Sequence, residues 1–440
     1  MFKTFQNALK VKEIREKLLY TFMALLIVRL GSQLPVPAIN RDFAASLFDV
    51  NTLGFFNTLT GGSFTQMSIF ALNITPYITS SIIMQLLAIV IPKLEEIQKE
   101  GEDGRKRIEQ ISRYLTVGLA VFESLAMSIG FGNAGYLNGG LTITNVAIIV
   151  ASFTAGSTFL MWLGEKITKK GVGNGISIIL LINIVSQVPS DMVSLYNQFI
   201  KYSAVGTAIL ASVIIISVIV VTIVLVVILQ GAERKVPVQY AKKIQGRKSV
   251  GGQTSHIPLK VNTAGVIPVI FAGSLLQFPI VAASLFGVSP ERAYVIPKIL
   301  YMLNQGTWLN FKSWGEFKYS IGLVIYIGLL YFFAYFYTSI TFNPMEVANN
   351  MKKQGGFIPG IRPGKPTSEY LTGVLNYIIV IGATALAIIA IIPIFFAGTF
   401  SARVSFGGTS LIIVVGVIIE TMTQIESMML VRHYKGFLND

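Results

Sequence analysis

The sequence contains no cysteine and only two histidines, His256 and His433. Disulfide bonds and thiolate metal ligands are therefore excluded. Two isolated imidazoles, far apart in the chain, do not make a zinc site. We expect the protein to bind no metal ion and no other cofactor.

Charge is also scarce, although the chain is long. Only 13% of the 440 residues are charged and 53% are hydrophobic. Soluble domains carry about 25% charged residues. Several apolar runs reach the roughly 20 residues that cross about 30 Å of hydrocarbon. We therefore predict an all-α, polytopic membrane protein.

Ten apolar runs are candidate transmembrane helices. They lie at 18–37, 74–92, 114–132, 143–163, 174–188, 205–229, 263–286, 319–340, 371–397 and 408–430. An even number places both termini on one side. The N-terminal segment, the C-terminal tail and the loops on that side hold 27 of the 35 Lys and Arg residues. Because cytoplasmic loops are enriched in Lys and Arg, both termini are predicted to be cytoplasmic.

The loop around 186–205 divides the spans five and five, so the second half should be inverted relative to the first. The predicted parts are a basic N-terminal segment (1–17), a first half (18–190), an external hinge loop (191–205), a second half (206–430) and a cytoplasmic tail (431–440). The second half carries cytoplasmic loops at 231–262 and 341–370. Inverted repeats recur in transporters, so a secondary transporter of small solutes is the alternative function.

The segment 55–73 is too polar to cross lipid alone and contains the pair Gly61–Gly62. Irregular backbone at membrane depth needs protein or a water-filled cavity around it. The segment is predicted to fold back as a short re-entrant helix. From composition alone, an ordinary external amphipathic loop is equally compatible.

Three ionisable residues are predicted to be buried within spans: Arg29, Glu123 and Glu420. Arg29 should bond to backbone carbonyls or a polar neighbour. Glu123 could carry a proton or an ion, or it could pair with a neighbouring helix or face a wet cavity.

Enzymatic patterns are missing from the spans. The glycine-rich residues 171–177 lack the Lys-Ser/Thr ending of a phosphate-binding loop. Asn174 there is better interpreted as the N-cap of the fifth span. No Ser/His pair, Asp pair or HExxH pattern lies within the spans, so the protein is predicted not to be an enzyme.

Two loops on the predicted cytoplasmic side are densely basic. Their Lys and Arg residues are Arg234, Lys235, Lys242, Lys243, Arg247, Lys248 and Lys260 in the first loop, and Lys352, Lys353, Arg362 and Lys365 in the second. Such loops could bind RNA phosphates, an acidic protein surface or anionic lipids.

Five stretches carry a resemblance to a known family. They are SIFALNITPYITSSIIMQLL (68–87), GVGNGISI (171–178), SHIPLKVNTAGVIPVIFA (255–272), GGFIPGIRPGKPT (355–367) and FGGTSLIIVVGV (406–417). In this order they resemble the SecY/Sec61-alpha family, whose members form the pore of the Sec protein-conducting channel. The resemblance implies ten helices in two inverted, pseudo-symmetric halves. It also implies a passive channel in the bacterial plasma membrane that carries unfolded secretory polypeptides across and releases hydrophobic segments sideways into lipid.

The resemblance also assigns residues to an apolar pore ring and to a plug helix at about 59–69. The ring residues would be Ile74, Ile78, Leu180, Ile184, Ile270 and Ile413. The plug residues would be Leu59, Gly61, Gly62, Phe64, Met67 and Ile69.

By the same resemblance, a lateral gate lies between the second and seventh spans, and the basic loops dock partners. The gate residues would be Thr79, Ser80, Gln85, Gln277 and Phe278. The docking residues would be Arg247, Lys248, Lys352, Lys353, Arg362 and Lys365. The implied partners are the ribosome, the SecA motor ATPase, SecE-like and SecG-like small subunits, unfolded polypeptides and anionic lipids.

Overall fold

Thirteen helices and five short strands make up the described part of the chain. The computed structural model describes residues 8–40, 60–133, 135–201, 205–240, 243–245, 248–250, 254–285, 295–304, 308–309, 320–400 and 408–436. The first half holds α1 (Lys12–Gly31), α2 (Thr75–Val90), α3 (Pro92–Lys99), α4 (Glu102–Asn133), α5 (Ile143–Lys170) and α6 (Gly175–Leu195). The second half holds α7 (Val205–Gly231), α8 (Ile267–Leu285), α9 (Val295–Leu303), α10 (Ile321–Thr341), α11 (Pro344–Lys353), α12 (Lys365–Phe400) and α13 (Gly408–Gly436). The strands are β1 (Glu233–Tyr240), β2 (Lys243–Gln245), β3 (Lys248–Val250), β4 (Thr254–Lys260) and β5 (Gly356–Phe357).

The predicted all-α, multi-pass membrane architecture is confirmed. Among the described residues, seven helices are long and apolar enough to cross a membrane, and α2 with α3 forms an eighth, bent by 105°. The helix α8 also coincides with a predicted span and has a shorter apolar stretch, Ile267–Ile280. With α1, whose apolar part begins after the basic segment, these helices are consistent with ten spans.

The fifth span is longer than predicted. The sequence-based span ended at 188, but α6 continues to Leu195 and is followed by a π-helical turn, Tyr196–Ile200. Pro189 lies inside α6 and does not end it, because membrane helices tolerate proline where neighbouring groups satisfy the freed carbonyl. The predicted hinge loop at 191–205 is therefore helical as far as Ile200.

Helix α7 illustrates why these segments need lipid. It has 27 residues without one Asp, Glu, Lys or Arg, and most of its large side chains point outwards. Its Ile216 is 61% exposed. Since water would make such a surface costly, this face is suited to a hydrocarbon solvent.

The two basic loops fold into one body outside the helical bundle. Strands β1 and β4 form an antiparallel pair in which Val236 lies opposite Ile257. Strand β5, from the second loop, adds to the other edge of β1, with Gln239 opposite Phe357. The sheet order is therefore β4-β1-β5, a pairing between the two loops that was not predicted.

Candidate functional site

The six residues of the predicted ring all lie in the large buried apolar core of the helical bundle, together with many other apolar side chains. They come from four helices: Ile74 and Ile78 from α2, Leu180 and Ile184 from α6, Ile270 from α8 and Ile413 from α13. Each is at most 6% exposed. Both halves of the chain thus contribute apolar side chains to the same place.

Local sequence explains how these helices meet there. Asn73 has φ 52 and Ile74 is the N-cap of α2, with proline in the first turn, so α2 begins inside the bundle. Asn174 caps α6, accepting hydrogen bonds from the backbone N–H groups of Ile176 and Ser177, which confirms the predicted cap. The N-terminal parts of the helices carry the ring residues. Ile176, one turn before Leu180, also packs against this cluster and was not predicted.

The predicted plug segment is enclosed by protein, as the re-entrant interpretation required. We call residues 60–69 the covering segment. Phe64 and Met67 are 2% and 1% exposed and share a second cluster with Phe131 of α4 and Phe153 of α5. Ile69 packs against both clusters. Leu59 lies outside the described residues.

The expected plug helix is not present over 61–69. After Thr60 the chain runs in turns up to α2. Gly61 and Gly62 have φ of 64 and 80, in the left-handed region that right-handed helices exclude. The two glycines therefore break the helix that the polar and apolar pattern suggested.

Two backbone contacts fix the later part of the covering segment. The Val36 N–H donates to the Met67 carbonyl at 2.9 Å, and the Ile69 N–H donates to the Leu34 carbonyl at 3.0 Å. These bonds join the segment to the chain that follows α1. The part at 67–69 is thus bound by backbone hydrogen bonds to residues 34–36.

Arg29 bonds to a backbone carbonyl, as predicted, but it is only half-buried. Its Nη1 donates to the Gly61 carbonyl at 3.4 Å. Glu123 is buried, at 4% exposure, as predicted. Glu420 is exposed, so its predicted burial is wrong; it lines a polar cavity of about 380 Å³ with Asn174 and Lys260.

The predicted gate residues are on helices that touch, but their side chains do not bond to one another. Helices α2 and α8 are in contact, and α4 packs against both. Ser80 of α2 donates its hydroxyl to the Ser112 carbonyl of α4 at 2.7 Å. The contact of α4 with both helices was not predicted, because it depends on how the helices pack in three dimensions.

The other gate residues bond within their own helix or not at all among the described residues. Thr79 donates to the Thr75 carbonyl at 3.1 Å, and Gln85 donates to the Ser81 hydroxyl at 3.3 Å. Gln277 is 8% exposed and Phe278 is 38% exposed.

A single apolar core supports the basic sheet. Its members are Val236, Val238, Leu259, Met351, Ile358, Leu371, Leu375 and Ile378. The last three belong to α12, so the sheet is anchored to the helical bundle. The basic side chains lie around this core on one structured platform.

Four of the predicted docking residues are exposed on that platform: Lys352, Lys353, Arg362 and Lys365. The Thr367 hydroxyl donates to the Arg362 carbonyl at 2.9 Å, which ties the tip to the start of α12. Arg247 lies outside the described residues, and only the backbone of Lys248 is described, in β3.

The comparisons with known proteins identify the family. The sequence profile of the SecY family matches residues 68–422. A relative from Halalkalibacterium halodurans, named protein translocase subunit SecY, is 43% identical over 447 residues and covers 100% of both chains. The chain belongs to the SecY family.

Solved structures of SecY-like proteins share the fold. A structure described as that of a protein conducting channel aligns with a TM-score of 0.64 at 21% identity, covering 95% of this chain and 93% of that one. The yeast Ssh1 complex, solved idle and bound to the yeast 80S ribosome, aligns with a TM-score of 0.65 at 17% identity, covering 96% and 89%. At these identities the likeness concerns the fold alone.

The SecY profile begins at Ser68, after most of the covering segment. The six predicted ring residues lie inside the match, whereas Gly61, Gly62, Phe64 and Met67 lie before it.

Proposed function

We propose that the chain is the central subunit of a Sec protein-conducting channel, which passes unfolded polypeptides across the plasma membrane. The observation that carries the proposal is that all six ring residues, contributed by both halves of a SecY-family chain, lie in the buried apolar core of the helical bundle. The channel itself is passive and not an enzyme. The ribosome, a bound ATPase motor and the membrane potential supply the energy.

The chemistry of the ring suits this function. Aliphatic side chains such as Ile270 and Ile413 offer a passing polypeptide no hydrogen bonds, so a polypeptide of any sequence can slide past them. When no chain is present, the same apolar constriction dewets and blocks ions. The covering segment acts as the plug and reinforces the closed state.

The lateral gate is assigned to the contact of α2 with α8, and α4 is added to it. A gate made of packed helices lets each nascent segment choose between the pore and lipid. Leu and Phe favour the membrane by roughly half a kcal/mol per residue, so apolar segments leave sideways. Since α4 bonds to α2 through Ser80 and also packs on α8, opening must separate α8 from α4 as well as from α2.

The basic platform is the proposed docking surface for the ribosome and for the SecA motor. Lys352, Lys353, Arg362 and Lys365 are exposed, and basic groups bind RNA phosphates without reading sequence. Arg247 and Lys248 are assigned to the same surface from the family resemblance. A solved relative, Ssh1, is described as ribosome-bound, which supports this partner.

The remaining partners are SecE-like and SecG-like small subunits and anionic lipids. We place the protein in the bacterial plasma membrane because its SecY relative is bacterial. The distribution of Lys and Arg residues favours an orientation with both termini in the cytoplasm.

The comparisons do not support the alternative of a small-solute transporter. The relative from Halalkalibacterium halodurans, which matches over its whole length, is named as a protein translocase subunit. Moreover, the buried centre contributed by both halves is apolar, whereas coupled transporters place ionisable groups or broken helices at a solute site.

The deciding experiment uses the absence of cysteine. One cysteine replaces Ile270, and another is placed in a stalled secretory chain. We expect an oxidant-driven disulfide in membranes that depends on the length of the stalled chain. A cysteine at Ile216, on the outward face of α7, is the control and should not react. Failure to crosslink at Ile270, Ile78 and Ile413 while export is active would contradict the pore assignment.

A further inference from the structure

A small polar site lies directly beside the apolar ring. Asn73 precedes Ile74 and Asn183 precedes Ile184, so each asparagine adjoins a ring residue. The Asn183 Nδ2 donates to the Asn73 Oδ1 at 3.2 Å, although the two residues are 110 positions apart. Both side chains are buried, at 1% and 2% exposure.

The same face of α6 receives the glycine pair of the covering segment. A Cβ on Gly61 would stand 2.8 Å from the Cα, Cβ and backbone oxygen of Asn183. A Cβ on Gly62 would collide with the side-chain amide of Gln187, one turn further along α6. Only residues without side chains permit this approach, and both glycines have positive φ.

Arg29 closes the site from the opposite side. It lies in the last turn of α1 and donates to the Gly61 carbonyl. The glycine pair therefore packs on α6 and receives one hydrogen bond from α1, whereas residues 67–69 are held by backbone bonds to 34–36. The part nearest the ring can leave without breaking the backbone bonds further along.

Not every polar atom of this site has a hydrogen-bond partner among the described residues. The Asn183 Oδ1 is buried and has no hydrogen-bond partner among the described residues. A buried polar atom without a partner weakens the site that contains it, so the contact is suited to reversible release.

We infer that Asn73, Asn183, Gln187 and Arg29 form a polar latch that positions the covering segment over the ring in the resting channel. This inference rests on the proposed plug function. Entry of a polypeptide widens the ring, breaks the Asn73–Asn183 bond and moves α6 away from the glycine pair. The four residues are positioning residues and do not form the ring.

The test measures resting ion conductance of the complete, full-length channel complex in planar bilayers. In Asn183→Ala, we expect the fraction of time in a conducting state to rise by a factor of about 3 to 10, the range for one buried hydrogen bond. Ser194→Ala is the matched control. Its hydroxyl donates to the Ser190 carbonyl of the same helix in an exposed hydrogen bond, so the conductance of this variant should equal that of the unmodified channel.

A second experiment distinguishes the latch hypothesis from the plug function. In a chain lacking 60–68, which leaks by itself if the plug function holds, Asn183→Ala should add nothing. Added leak in that background would overturn the latch, because the substitution would then act on the ring. A tight Asn183→Ala channel beside a leaking deletion would also overturn the latch but leave the plug function standing. A deletion that does not leak would refute the plug function itself.

Gln187→Ala provides the same test at a half-buried position if Asn183→Ala fails to assemble. It removes only the side chain beneath Gly62, and the same increase and the same dependence on residues 60–68 are expected.

Discussion

Arg113 of α4 and Glu165 of α5 are joined by two hydrogen bonds of 2.7 Å each. The guanidinium meets the carboxylate through Nε and Nη2, the two-point geometry that makes such pairs strong. The residues are 52 positions apart. Next to Arg113, the backbone carbonyl of Ser112 accepts a hydrogen bond from the Ser80 hydroxyl of α2. The ion pair thus holds α4 to α5 beside the gate contact.

The first prediction concerns this pair. Arg113→Ala leaves the partly buried Glu165 carboxylate, 21% exposed, without its partner. We expect a loss of about 1–3 kcal/mol in the free energy of unfolding, as for a charged hydrogen bond. Thermal unfolding in detergent would measure it. Arg107→Ala is the control, because its pair with Glu100 is 3.5 Å long and exposed, and it should change stability by less than about 0.5 kcal/mol. If both substitutions lowered the free energy of unfolding by the same amount, the stabilising role assigned to the Arg113–Glu165 pair would be contradicted.

The second prediction concerns the ring. Replacing Ile270 or Ile413 with Asn places an amide in the apolar constriction, which should wet it and raise resting ion leak. Planar-bilayer conductance is the measurement, and tolerance of poor signal sequences should rise in parallel. Ile413→Val keeps the side chain aliphatic and should stay closed. Unchanged conductance in both Asn variants would argue that these residues pack elsewhere than at the constriction.

The third prediction concerns the platform. Arg362→Glu reverses the charge on the exposed tip and should reduce ATP-dependent translocation into vesicles severalfold, because like charges oppose docking. Assembly should be unaffected, since the side chain is exposed and the tip is held by its backbone. Lys93→Glu, an exposed reversal on α3, is the control and should keep normal rates. A normal translocation rate in Arg362→Glu would show that the tip is not part of the docking surface.

The fourth prediction concerns Glu123. It is buried in α4, where a coupled transporter could use a carboxylate. A passive channel does not need one, so Glu123→Gln should translocate secretory chains within about twofold of the unmodified rate, since the amide keeps the shape and most hydrogen-bonding capacity. Assays in vesicles with and without a proton gradient would check this. A loss seen only with the gradient would favour a proton-coupled role.

The membrane class and most helices could be predicted from sequence because the hydrocarbon thickness fixes the length and polarity of a span. The Asn174 cap was predictable for a similar reason, since a side-chain oxygen at that position satisfies nearby N–H groups. The ring residues came from a family resemblance. Their burial in one cluster depends on where four helices begin, which apolar character alone does not reveal.

The sequence by itself determined a multi-pass helical protein with basic loops, because these properties depend on composition and on periodicity along the chain. Only the tertiary structure decided that the two basic loops share one sheet, that α4 touches both gate helices and that Asn73 meets Asn183. Each of these contacts joins residues far apart in sequence. No local pattern encodes such a contact, because its energy is gained only after the helices between the two residues have packed.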